Sequence, residues 1–218
     1  VKRYQTIAEL PTRIPVFPLV EALLLPRADL PLNVFESRYL AMFNDSLAHH
    51  RVIGMIQPRS DDSGEAPALA CVGCAGRITS FSETEDNRLH VTLTGICRFE
   101  VVRELAVETA YRQVEVDYHN YASDMAAEVQ SRRVDREALV KAFRQYLEAN
   151  NMSANWEEVA QVSTENLVNT LSQLAPYPAA EKQALLEAPD LPARADMLIA
   201  LTELALSRRS GSRGKALQ

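Results

Sequence analysis

From Arg88 to Leu93 polar and apolar residues alternate without a break, Leu89, Val91 and Leu93 falling on one face and His90 and Thr92 on the other. A period of two is the pattern of a strand buried on one side. Arg77–Ser82 precedes it across the polar stretch from Glu83 to Asn87, which predicts a hairpin with its turn near Asp86 and Asn87. Val114, Val116 and Tyr118, set against Gln113, Glu115 and Asp117, predict a last strand. Upstream, the apolar runs Ile14–Val16, Leu23–Leu25 and Val52–Ile56 are punctuated by Pro11, Pro15, Pro18, Pro26, Pro31, Pro58 and Pro67. Runs of this kind predict buried strands of a small barrel or sandwich, with each proline at a strand end or on an edge.

Tyr39, Leu40, Phe43 and Leu47 recur instead at helical spacing, and no proline interrupts Glu36 to about His49. One helix is therefore set into the β part. Beyond about residue 120 the period changes to 3.6 throughout. Leu139, Phe143, Tyr146 and Leu147 line a helix ending near Ala149–Asn151, and Asn155, with Glu158 three residues on, caps the next, whose apolar face holds Trp156, Val159 and Ala160. Ser163-Thr164 breaks and restarts the helix before Leu167, Leu171 and Leu174, and Pro176 and Pro178 end it. A short helix over Ala179–Glu187 follows, then a last one opened by Asp190 and Pro192 with Ala195, Leu198, Leu201 and Ala205 inward. The expected class is α+β: a β barrel or sandwich over 1–120 with one embedded helix, then a helical bundle over 121–207.

The net charge of −6 conceals an asymmetry. Residues 208–218 carry Arg208, Arg209, Arg213, Lys215 and no acid, so the preceding part carries −10. An acidic body repels nucleic acid, and a tail with Ser and Gly between its charges is expected to be mobile. Hydrophobic residues at 47% and charged residues at 24% are ordinary for a folded protein. An odd cysteine count, no leader pattern and no apolar run long enough to span a bilayer point to a reducing, cytoplasmic location with no membrane partner.

Signatures of catalysis are missing. A phosphate-cradling loop needs a glycine five residues before a Gly-Lys pair followed by Ser or Thr, and Gly214-Lys215 is followed by alanine and preceded by Arg209. The four lysines, Lys2, Lys141, Lys182 and Lys215, sit in polar or terminal contexts that do not favour a serine–lysine dyad. Cys71-Val72-Gly73-Cys74 has the spacing of a metal knuckle or redox pair, but only Cys97 and His90 are left to complete a four-ligand site. The acids of the Arg59–Ala68 loop lack the spacing of a calcium loop, and His49, His50 and His119 read as surface residues. No enzyme activity, cofactor or metal is expected.

Ile14-Pro15-Val16-Phe17-Pro18-Leu19, Leu25-Pro26 and Leu30-Pro31-Leu32-Asn33-Val34-Phe35-Glu36-Ser37-Arg38-Tyr39 resemble the opening of the Lon protease N-terminal domain. Val52-Ile53-Gly54, the stretch Val72–Ile78, Leu93–Phe99, Leu174-Ala175-Pro176 and Glu181–Glu187 continue the resemblance in order, from about Ile14 to Leu206. It implies a PUA-like β subdomain followed by a helical bundle, and the chain looks like a stand-alone bacterial member lacking the ATPase and peptidase domains, or else like an excised fragment. It also implies a non-catalytic module that recognises unfolded or extended polypeptide, or a partner protein, in protein quality control. No catalytic residue carries over. Pro31, Leu32, Phe35, Arg38 and Tyr39, where a strand passes into the embedded helix, are the candidate polypeptide-binding residues, although Leu32, Phe35 and Tyr39 also fit a core role. Two alternatives stay open: RNA binding, known for PUA-like folds but opposed by the acidic body, and metal or redox chemistry at Cys71 and Cys74.

Overall fold

The computed structural model describes residues 4–59, 67–86, 88–126 and 133–215, with backbone alone from 209. Two compact units are present, Val1–Ala127 with Pro176–Leu186, and Glu128–Ala175 with Glu187–Gln218. The chain thus leaves the first unit and returns to it, and a segment expected in the helical part clusters with the strands.

Strands β1 (Arg13–Pro18), β2 (Asp29–Val34), β3 (Val52–Ile56), β4 (Val72–Glu83), β5 (Leu89–Glu104) and β6 (Gln113–Asp117) form one sheet in the order β2-β5-β4-β3-β1-β6. A further pairing of β5 with β6 closes five of them into a barrel, and closure removes open edges from that part. Strand β5 is long enough to serve two partners along one side: Leu89–Thr94 pairs with β2, and Glu100–Glu104 with β6. Its alternation is the expected one, Leu89, Val91 and Leu93 all being buried. Inside the barrel Ile14, Val16, Val52, Ile56, Ala75, Cys97, Phe99, Val114 and Val116 make a common core. Fully burying side chains of this kind contributes roughly 1.5–3 kcal/mol each.

Leu23–Leu25 is buried as expected but forms no strand. It runs as a loop over Gly76 and Gly95, which face each other across β4 and β5. The loop leaves through Arg27, whose φ of 63° is left-handed, and its N–H donates to the Gly95 carbonyl at 2.9 Å. The Leu25 carbonyl accepts from the Ala28 N–H at 3.1 Å, and the Gly95 N–H donates to the Ala28 carbonyl at 2.9 Å, so a turn pinned to the middle of β5, and not a ladder, holds the loop. Helix α1 (Ser37–Ala48) follows β2 within one residue of its expected span and buries Tyr39, Met42 and Phe43.

Closing the first unit are a 3-10 segment over His119–Met125, absent from the sequence expectations, and α5 (Ala179–Glu187). Both meet Arg98, which is 2% exposed. Its Nε and one terminal nitrogen each donate to Asp124 at 2.8 Å, and the other donates to the Leu186 carbonyl at 3.0 Å. The Gln57 side-chain amide donates to the Ala179 carbonyl at 3.1 Å, and that of Gln183 to the Val72 carbonyl at 3.0 Å.

In the second unit, α2 (Arg136–Ala149), α3 (Trp156–Gln161), α4 (Thr164–Leu174) and α6 (Leu191–Lys215) form the bundle. Leu139, Ala142 and Phe143 of α2, Leu167 and Val168 of α4, and Ala195 and Leu198 of α6 are buried. Asn155 caps α3 through its side-chain oxygen, as expected, and at the expected break Ser163 caps α4 in the same way. Helix α3 buries no residue, in contrast to its expected inward face, and Trp156 is instead covered by the Arg144 guanidinium, 4.4 Å from its ring. Helix α6 extends to Lys215, into the segment expected as a mobile tail. Ser207 at its exposed end donates back to the Glu203 carbonyl at 3.0 Å. The polar loop expected near Arg59–Ala68 lies largely outside the described residues.

Candidate functional site

Strand β2 differs from every other described strand in pairing on one side only. An open edge presents unpaired backbone N–H and C=O groups, the template on which an extended chain adds as a further strand. Proline has no N–H for a ladder and is tolerated within a sheet chiefly at such an edge, where Pro31 is found.

The side chains beside this edge come from three strands in register. Leu32 faces Val91 on β5, and Val91 faces Phe81 on β4, so the three make one row across the sheet. The row is buried at Val91 and open at its ends, with Leu32 half-buried and Phe81 49% exposed. Phe35, just past the end of β2, is 63% exposed. The Arg88 guanidinium stands 5.9 Å from the Phe35 ring centre and is held by Asp86 at 2.7 Å. Phe35 therefore offers apolar surface at the end of the open backbone, Phe81 extends it from two strands away, roughly 10 Å across the sheet, and Arg88 and Asp86 supply a charged rim.

The five residues anticipated from sequence divide here. Pro31, Leu32 and Phe35 lie along the edge. Arg38 is exposed on α1 but is engaged by Glu36 at 2.8 Å and lies over the Tyr39 ring at 4.6 Å. Tyr39 is a core residue, 7% exposed, with its ring centre 4.2 Å from that of Phe17. The helical phase decides this, because α1 starts at Ser37 and turns Tyr39 inward while Phe35 stays outside the helix. Phe81 and Arg88 were not anticipated. The sequence signal for Phe81 was its place between Ser80 and Ser82, an apolar residue alone on a polar hairpin arm.

The cysteines fall in different environments. Cys71 is exposed, whereas Cys74 on β4 and Cys97 on β5 are buried. Burial, reinforced by the nearby Asp124 carboxylate, pushes the Cys97 thiol up to about 12, which suppresses the reactive thiolate. Among the described residues no group of three or more His, Cys, Asp or Glu side chains is placed to hold a metal ion. No helix among them is long and apolar enough to cross a membrane.

The chain is similar to Lon protease 2 of Myxococcus xanthus, 28% identical over 200 residues that cover 88% of this chain and 24% of that protein. It is also similar to the Lon protease of Chloroherpeton thalassium, 27% identical over 194 residues covering 85% of this chain and 22% of the other. It thus spans about a quarter of the length of these curated relatives. Among solved structures, a Lon N-terminal domain protein from Xanthomonas campestris superposes with a TM-score of 0.61 at 25% identity, covering 87% of this chain and 98% of that one. The N-terminal domain of a Mycobacterium avium complex Lon protease shares the fold, with a TM-score of 0.62 at 17% identity over 88% of this chain and 98% of that one. Residues 13–203 match the model of the ATP-dependent protease La (LON) substrate-binding domain, and the chain belongs to that family.

Proposed function

We propose that this chain is a non-catalytic polypeptide-binding module that holds extended or unfolded segments along the open edge of β2. The observation that carries the reading is the conjunction of one-sided pairing at Asp29–Val34 with the exposed rings of Phe35 and Phe81. Backbone pairing supplies affinity without regard to sequence, and apolar side chains select segments that a folded protein would have buried. That combination suits a protein that inspects damaged chains in the cytoplasm for quality control, with ATP hydrolysis and peptide cleavage performed by other domains or proteins. The family membership supports substrate recognition, and the acidic balance of the chain favours segments of neutral or basic character.

A labelled ten-residue peptide alternating valine with lysine or threonine provides the test, measured by fluorescence anisotropy beside a twin methylated on alternate backbone nitrogens. Saturable binding is expected for the first, with affinity reduced at least about tenfold in the twin and in a Phe35→Glu, Phe81→Glu double variant. Absence of saturable binding, or equal binding of the two peptides, sinks the β2 reading.

A further inference from the structure

A second site lies in the first unit, on the face of the sheet near the start of β2. Here a cavity of about 610 Å³ is lined by Tyr4, Arg27, Arg77, Thr79, Ile96 and Met125, among others. Its size is in the range of small-molecule sites. Its construction is unusual in two respects.

The first is the way its walls are aimed. β4 and β5 slip register twice, between Ala75 and Gly76 and between Ile78 and Ser80. The residues left out of the pairing by these slips include Ile96 and Thr79, and both line the cavity. Bulges re-aim side chains and are common beside functional sites. Arg27 reaches the same cavity from a left-handed backbone position that a β-carbon disfavours, and its guanidinium donates to the Asp124 carbonyl.

The second is the charge. Arg77 has a buried Nε with no hydrogen-bond partner, and the contact described for its guanidinium is with the Tyr4 ring at 5.8 Å. That nitrogen is sealed from solvent, so what Arg77 offers a molecule in the cavity is the terminal end of its guanidinium, whose charge favours an anionic acceptor. Asp124, the acid lining the cavity, is not that acceptor, because both its carboxylate oxygens are taken by Arg98, one at Nε and the backbone N–H, the other at a terminal nitrogen. At the rim, Asp29 accepts from the Thr94 hydroxyl at 2.6 Å. Two guanidiniums thus face a cavity whose own acid is neutralised, while Tyr4, Ile96 and Met125 supply apolar wall.

The geometry points to a binding site for a carboxylate with an apolar body, the carboxylate meeting Arg77 and the body lying against Ile96 and Met125. A guanidinium pairs a planar carboxylate through parallel hydrogen bonds, which fits this acceptor better than a spherical anion. A free organic acid and the C-terminal end of a polypeptide share this chemistry. The site is separate from the β2 edge, and its assignment does not depend on polypeptide binding there.

Isotope-labelled full chain is titrated with N-acetyl-leucine and, separately, with N-acetyl-leucinamide, following the backbone amides of Thr94, Gly95 and Ile96 and the Arg77 Nε–H. The acid is expected to shift these signals saturably and to bind at least about tenfold more tightly than the amide, since removal of the charge removes the guanidinium pair. Arg77→Met should abolish the shifts, and Arg77→Lys, which keeps the charge but not the fork, should weaken them. Equal affinity for acid and amide, or no shift at these positions, overturns the proposal, and this comparison needs only the wild type even if Arg77→Met fails to fold. Arg77→Met that folds and binds as the wild type overturns it as well. An octapeptide ending in free leucine, compared with its amidated form, separates the two sources: an affinity above that of N-acetyl-leucine assigns the site to chain ends, and an equal one to small acids. Phe35→Glu, Phe81→Glu should leave all these shifts intact, so that failure at either site is read independently.

Discussion

A β-carbon placed on Gly95 would lie 2.0 Å from the Leu25 carbonyl oxygen and 2.7 Å from its carbon. The clash is with backbone, which has no rotamer to move into. Gly95→Ala therefore has to push the Leu23–Leu25 loop off the sheet. We expect a loss of about 1–3 kcal/mol or more in urea unfolding, within the range for overpacked interiors. Unchanged stability would show that this loop shifts without cost.

The ion pair between Arg98 and Asp124 is nearly sealed from solvent, with side-chain exposures of 2% and 8%. Taking one partner away leaves the other buried and uncompensated. Asp124→Ala should cost about 3–5 kcal/mol. Exchanging both residues for apolar ones of similar volume should cost less, and a double-mutant cycle in denaturant measures the difference.

Phe35 and Tyr39, four residues apart, should respond in opposite ways. Phe35→Ser removes an exposed ring and is expected to change stability by no more than about 0.5 kcal/mol. Tyr39→Ala opens a hole against Phe17 and is expected to cost about 3–5 kcal/mol, as for other large aromatic truncations. Thermal unfolding of the two variants side by side checks the ordering.

Alkaline pH should destabilise the first unit in a defined window. The Cys97 thiol, ordinarily near 9.0, is pushed up to about 12 mainly by burial, and Tyr111, ordinarily near 10.0, also to about 12 by burial and its hydrogen bond to Asp45. Above pH 9 the unfolded chain therefore releases protons that the folded chain keeps, so stability falls as pH rises from about 9 towards 12. Below 9 these groups contribute no slope. Cys97→Ala should flatten the onset of the fall between pH 9 and 10, leaving the tyrosine part above it, as measured by denaturant midpoints across that range.

Periodicity revealed those elements whose burial is one-sided. The alternation through Leu89, Val91 and Leu93, and the recurrence of Tyr39 and Phe43, translate directly into β5 and α1. Leu23–Leu25 misled because an apolar run has no phase, and a loop packed on two glycines buries it as fully as a ladder would. Of the candidate site, Pro31, Leu32 and Phe35 were readable from the segment they share. Phe81 was not, since its place in the row of Leu32 depends on a register set through Val91 on the strand between them. Arg77 was equally hidden, because nothing local distinguishes an arginine with an unmatched donor from one on the surface.

Because α5 supplies the Leu186 carbonyl to Arg98 and the Ala179 carbonyl to Gln57, the ribosome cannot finish the first unit when it finishes the strands. Another 48 residues, 128–175, separate the last barrel segment from the returning one. Leu186 itself comes 59 residues after Ala127, so at about 5–20 residues per second the nascent chain waits roughly 3–12 s with Arg98 lacking one of its acceptors. During that interval the emerging protein is itself an incompletely folded polypeptide exposing an open strand.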